Sequence, residues 1–427
     1  MNTILIISLF VVCLGFMSFG YYVSRGKISQ SAFLVSDRNV NVFGLTFSLT
    51  ASCFGIWILI GPAEASTWGG VGAVIGYAAG QSFVFLYFSK IGEKIRKILP
   101  DATSLTEVIE KRYDQKVLKL ILILTILYLY VYFCAEVTAI SKVVNLILGT
   151  PLWLTAALTI ISTLIYSLKG GLKISIITDK LQFWIIIIFL LIIFIILNQK
   201  IDFLSPSLIT SKSSNLSIGF GGFTAGLTFF IAVFATNLFD QGIWQRVYAS
   251  KNIQVLKKGF IAAFYIVFIT ILLLGFVGIF ASLNGKVKDP STIIFSLLVN
   301  KEYLLLNLVI LILSLTLVLS SLDTLIASIS SLFVIHSNKF IKKKNINKIK
   351  KEKINLLAAI FDEHSVNILS FHRLAKFKNF NQQKIIQALK KKFKLEKKLK
   401  FKNPCDPGSV MIYLNKTWYN VSLTSNK

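Results

Sequence analysis

Long apolar runs recur along most of the chain, separated by short polar clusters, and the pattern predicts helices. Nine runs, near residues 3–23, 43–66, 70–90, 119–146, 152–168, 181–198, 222–240, 259–283 and 303–335, approach or exceed the ~20 residues a helix needs to cross a hydrocarbon core. A membrane β-barrel would instead show short segments of alternating polarity. The expected fold is therefore an all-α polytopic membrane protein of about nine spans. The first run lacks a basic start and a small-residue cleavage pattern, so it reads as a retained helix rather than a leader.

After residue 336 the apolar pattern stops. "KKKNINKIKKEK" reads as a basic connector, 337–353. "INLLAAIFDE" and "VNILSFHRLAK" read as strands, and "NQQKIIQALKKKFKLEKKLK" as a helix with Ile385, Ile386, Leu389 and Phe393 on one face. "SVMIYLNKTWYNVSLT" alternates like a hairpin turning at Asn415–Lys416. The expected organisation is a membrane domain over 1–336, the connector, and a small soluble α/β fragment over 354–427.

Composition sharpens this division. The chain has 427 residues, 55% of them hydrophobic, and a mean hydropathy of +0.71. Of the net charge of +27, residues 336–427 carry +17, from 22 Lys/Arg against 5 Asp/Glu. Within the membrane part, basic residues gather after the odd-numbered runs: Arg25, Lys27 and Arg38; "KIGEKIRKILP"; Lys169, Lys173 and Lys180; then Arg246, Lys251, Lys257 and Lys258. The positive-inside bias then places the N-terminus outside the cell membrane and the tail in the cytoplasm. The tail's basic runs fit an anionic leaflet or a solvated face; few aromatics interleave with them, which disfavours nucleic acid. Cys13, Cys53, Cys134 and Cys405 have neither metal spacing nor pairing logic and read as small fillers. With no paired acids, no metal spacing and no triad, an enzyme is not expected.

Polar residues inside the runs carry the candidate chemistry, because a polar group in hydrocarbon is costly without a partner. "TASCFGIWILIGPAEAS" contains Gly55, Gly61 and Pro62 and makes a poor continuous helix. A break there frees carbonyls to line a cavity or hold an ion; a kinked packing helix is the plainer reading. In "GGLKISIITDKLQFW", Thr178, Asp179 and Gln182 share a face. Asp179 is either a carboxylate on a cation path or an interfacial acid paired with Lys173 or Lys180. Thr236, Asn237, Asp240 and Gln241 offer hydrogen bonds to a solute, and Trp57 is a further candidate for contact with it. Trp244 and Tyr248 fit an interfacial aromatic belt. Glu136 and Lys142 form either an intramembrane or an end-of-span pair. In "LVLSSLDTLIASISSLF", Ser321, Thr324 and Ser328 share a face. These hydroxyls either bond back to their own helix or, with freed carbonyls, form the hard-oxygen set that suits Na⁺.

"SAFLVSDRNVN", "TASCFGIWILIGPAEAS", "GGLKISIITDKLQ", "WQRVYASKN" and "SSLDTLIASISSLF", in that order, resemble the sodium/solute symporter family, which includes proline permease and the sodium/glucose and choline transporters. The resemblance covers about 1–336. It implies a LeuT-type fold of two inverted five-helix repeats behind a leading helix, with Na⁺ as coupling ion, no cofactor and a small polar solute. It implies a sodium site made of the carbonyls of Ala51, Phe54 and Leu317 and the hydroxyls of Ser320 and Ser321. Asp179 matches the family's sensitive aspartate and is an ion-coupling candidate, for Na⁺ or for H⁺. Two departures stand out. Cys53 replaces the aspartate of proline permease, and the membrane pattern ends after the eighth core helix, so the second repeat lacks its last two. The tail weakly resembles part of an uncharacterised bacterial soluble family, with His372 as a candidate residue. A sodium-coupled symporter is the leading expectation; a non-functional fusion remnant and a membrane-anchored solute sensor are the alternatives.

Overall fold

The structure is a computed structural model. It describes residues 2–26, 28–200, 219–283, 289–300, 302–341, 401–402, 409–414 and 417–422. The chain divides into two units, Met1–Ile335 and His336–Lys427.

Twelve helices are described: α1 (Asn2–Val23), α2 (Gln30–Val35), α3 (Val42–Cys53), α4 (Gly61–Ile98), α5 (Leu105–Arg112), α6 (Gln115–Leu148), α7 (Leu152–Lys200), α8 (Phe220–Asn237), α9 (Gln241–Ala249), α10 (Ile253–Leu283), α11 (Ile293–Leu298) and α12 (Leu304–Ile341). Seven of them (α1, α4, α6, α7, α8, α10 and α12) are long and apolar enough to cross a membrane. The nine apolar runs map onto these because α4 and α7 each turn at a left-handed glycine. Gly70 and Gly171 both adopt φ 54°, a backbone region that a side chain disfavours. The run at 43–66 is discontinuous, as its glycines predicted: α3 ends at Cys53, a short 3-10 turn covers Ile56–Leu59, and α4 restarts at Gly61 with Pro62 in its first turn.

Local sequence explains the helix ends. The Asn41 side chain accepts from the Gly44 N–H to start α3, and Asp240 accepts from the Gly242 and Ile243 N–H groups to start α9. Gly149, at φ 69°, closes α6. Close packing of α4 on α8 follows from the spacing Gly72-Gly76-Gly80 against Gly222-Gly226. A Cβ on Gly72 would strike the Gly222 carbonyl, and one on Gly76 the Gly226 carbonyl. Helix α4 also packs on α10, α3 on both α7 and α10, and α1 on α7.

Helix α9 is buried along its whole length, including Trp244 and Tyr248. The interfacial belt expected for those two residues is therefore corrected. Trp244 donates to the Leu238 carbonyl and packs edge-on against Phe88; the Arg38 guanidinium lies over the Tyr248 ring. Around α9, Val40 and Ser250 form a parallel bridge, and Arg96 Nη1 donates to Ser250 Oγ at 2.6 Å.

In the second unit, β1 (Phe401–Lys402), β2 (Ser409–Leu414) and β3 (Thr417–Ser422) form an antiparallel sheet in that order, with Leu414 opposite Thr417. The strands expected at 354–363 and 366–376, the helix expected at 381–400, and His372 lie outside the described residues.

Candidate functional site

The break between α3 and α4 organises the site. In a continuous helix the Gly55 N–H would bond to the Ala51 carbonyl. Here it donates to the Cys53 carbonyl at 3.1 Å, which releases Ala51 from its helical partner. Phe54 caps α3, its N–H donating to Thr50. Both residues are fully buried.

Two acids tie this segment to α12. Asp179 of α7 accepts from Ser48 of α3 through Oδ2 at 2.6 Å and from Ser320 of α12 through Oδ1 at 2.7 Å. Glu136 of α6 accepts through Oε2 from the Ile56 N–H at 2.9 Å and from Ser321 Oγ at 3.0 Å. Ala51 and Phe54 lie in sequence between Ser48 and Ile56, so the two acids bracket them and draw both serines to the same stretch. A hydroxyl that gives its one proton to a carboxylate keeps its oxygen lone pairs for a cation. Leu317, one turn before Ser321, is also buried.

The partners of the acids differ from the sequence expectation. Asp179 pairs with Arg246 of α9, Nη2 to Oδ2 at 2.9 Å, both side chains being buried. Lys173 instead meets Asp37, and Lys180 is exposed. Arg246 was expected among the charges of a loop. In the fold its Nε donates to Ser48 and its Nη2 also to Thr324, fixing the guanidinium in three directions with the Gly242 carbonyl. Glu136 does not pair with Lys142, which is exposed.

The polar face of α12 also shifts. Ser320 and Thr324, four residues apart, face Asp179 and Arg246, while Ser321 faces Glu136 and its own Val318 carbonyl. Ser328 donates to Gln245 of α9. Between them Asp323 accepts from Ser175 and Thr178 of α7, each at 2.8 Å, and from the Tyr166 hydroxyl at 3.3 Å. Sequence reasoning passed over Ser48 and Ser175 and gave Asp323, though visible as a polar residue in an apolar run, no role. Their helical spacing from Ala51, Asp179 and Ser320 was the available signal.

The residues offered to a solute separate. Trp57 sits at the break, its Nε1 donating to the Tyr132 hydroxyl at 2.9 Å. Asn237 is clasped by Gln81, amide to amide, at 3.0 and 3.3 Å, and Gln81 also reaches Cys53 Sγ. Thr236 is exposed and bonds back to Ala232 and Val233. Asp240 is occupied as the cap of α9, and Gln241 donates to Ser331 at 3.3 Å. Gln182 is fully buried with neither amide atom bonded to protein among the described residues.

The model of the sodium:solute symporter family matches residues 33–388, which extends beyond residue 336. A spermidine transporter of Candida albicans is 23% identical over 276 residues, 63% of this chain and 53% of the relative. The human sodium/glucose cotransporter 4 is 25% identical over 183 residues, 42% of this chain and 26% of the relative. The chain thus spans about half or less of these relatives' lengths. A solved Na⁺-coupled sialic acid symporter, in a substrate-bound outward-open state, matches with a TM-score of 0.66 at 18% identity, over 77% of this chain and 74% of that one. That likeness identifies the fold as LeuT-type, in agreement with the expectation from sequence.

Proposed function

The chain belongs to the sodium:solute symporter family, and from that premise we propose that it carries a small polar solute with Na⁺ across the cell membrane by alternating access. It is a multi-pass integral membrane protein. The proposed orientation, N-terminus outside and tail inside, rests on the distribution of basic residues. Na⁺ is bound by the carbonyls of Ala51, Phe54 and Leu317 and the hydroxyls of Ser320 and Ser321, with Asp179 coupling occupancy to the packing of α3, α7 and α12.

One observation carries this reading. Ser320 and Ser321 are held by Asp179 and Glu136, the same two acids that hold the α3 segment on either side of its break. Buried hydroxyls whose protons are already committed, beside carbonyls released from a helix, are the oxygen ligands a hard cation takes at membrane depth.

The test is thermal unfolding of the purified full chain in detergent, in Na⁺ or K⁺ at equal ionic strength. A ligand bound only by the folded state raises Tm by mass action. Na⁺ alone is expected to do so, and Ser320→Ala/Ser321→Ala is expected to abolish the difference. Equal behaviour of the two ions in the parent protein counts against the site.

A further inference from the structure

We propose that the transported solute bears a positively charged ammonium group, and that Glu136 with the rings of Trp57, Tyr77 and Tyr132 receives it. This inference rests on the symporter reading and adds the substrate class.

The first argument is charge. Glu136, Asp179 and Asp323 are each at most 1% exposed. Among the described residues one cation, Arg246, reaches this group, and it pairs with Asp179. No lysine or arginine among the described residues lies within ion-pair distance of Glu136 or Asp323. Uncompensated buried charge is expensive. One Na⁺ at the serine pair offsets one negative charge and leaves a second, and Glu136 is the acid that stands at the helix break.

The second argument is the set of aromatic residues on the elements next to that acid. Tyr128, Tyr132 and Glu136 follow one another at intervals of four along α6 and so lie on one face. Tyr132 is bonded to Trp57, whose ring lies 5.8 Å from that of Tyr77. Tyr77 in turn lies 5.3 Å from Phe229 of α8. Aromatic faces are electron-rich and attract ammonium groups, most strongly where water is excluded. Glu136, one helical turn from Tyr132 on α6 and bonded to the Ile56 N–H next to Trp57, adds a carboxylate to that aromatic set and favours a cation. An anionic solute would meet Glu136 with no neighbouring base. A sugar would need paired donors and acceptors, and the nearby amides of Gln81 and Asn237 are already spent on each other.

The experiment uses the full chain in detergent with Na⁺ present throughout. Spermidine, choline, glucose and sialic acid are added at matched ionic strength, and Tm is read for the parent, Glu136→Gln and Tyr77→Leu. The amide of Glu136→Gln still accepts from the Ile56 N–H, so the break is preserved while the charge is removed. Spermidine or choline is expected to raise Tm beyond Na⁺ alone, with apparent affinity weakened about tenfold or more in Glu136→Gln. Tyr77→Leu, which leaves both hydrogen bonds of Glu136 untouched, is expected to weaken the same response and serves where Glu136→Gln fails to fold. The proposal is overturned if glucose or sialic acid stabilises and the ammonium compounds do not, if none of the four does, or if the foldable variants respond like the parent. In that last case a proton or a second Na⁺ balances Glu136. A missing Na⁺ response without solute tells against the symporter reading itself; an intact one with no ammonium response tells only against this inference.

Discussion

Arg246 Nη2 donates to Asp179 Oδ2 at 2.9 Å, with both side chains shielded from solvent. The same guanidinium holds Ser48 of α3 and Thr324 of α12. Asp179 is therefore the point where α3, α7, α9 and α12 meet through polar atoms.

Breaking that pair strands a buried carboxylate. Arg246→Leu is expected to destabilise the protein by about 3–5 kcal/mol. Arg246→Lys should fall between it and the parent, because an ammonium lacks the planar fork that serves three partners. Asp179→Asn in the Arg246→Leu background should recover part of the loss. A thermal-unfolding double-mutant cycle measures this, and strict additivity would show that the two groups are not coupled.

The exposed pair Lys173–Asp37 is the contrasting case. Both side chains are nearly half exposed, so Lys173→Ala should cost less than about 1 kcal/mol and leave the Na⁺ response intact. If Lys173→Ala abolished that response while Arg246→Lys did not, Lys173 would be the working partner of Asp179.

At the helix break, Gly55 leaves room for an acid. A Cβ there would strike the Glu136 carboxylate. Gly55→Ala should push Glu136 off the Ile56 N–H, lowering both Tm and the affinity for Na⁺. Shortening the acid with Glu136→Asp in the Gly55→Ala chain should return part of the stability. A double variant no better than Gly55→Ala would mean that crowding is not the cause.

Packing of α4 on α8 depends on glycine in a position-specific way. Gly76→Ala places a methyl against the Gly226 carbonyl and should destabilise by about 1–3 kcal/mol, the usual cost of overpacking. Gly221→Ala, with nothing near its Cβ, should change Tm little. Equal effects of the two would show that α4 and α8 are not in close backbone contact.

The spans and the break were legible in the sequence because each rests on local cues: apolar length, and Gly55, Gly61 and Pro62 within one run. Asp179 and Ser320 were also legible as polar residues in hydrocarbon. Their partnership depended on the family resemblance and on tertiary packing. Arg246 was misread because the charge of a short polar stretch normally marks a loop, whereas α9 folds inward and carries its arginine to an acid in α7. Lys173 and Lys180 were the nearer bases in sequence, but residues six positions and one position from Asp179 are turned well away from it around the helix axis. Trp244 and Tyr248 were misread for the same reason as Arg246. Composition marks amphipathic rings for an interface and does not reveal that a helix will cover them.

Ser320 and Ser321 are adjacent in α12, so they lie about 100° apart around its axis. One grips Asp179 and the other Glu136. The helix thus works as a camshaft with two lobes. Turning or sliding it as a rigid rod disengages both grips in a fixed ratio, and neither acid is released without disturbing the other. Any change in the grip on Asp179 is thereby geared mechanically to a change in the grip on Glu136, through the helix alone.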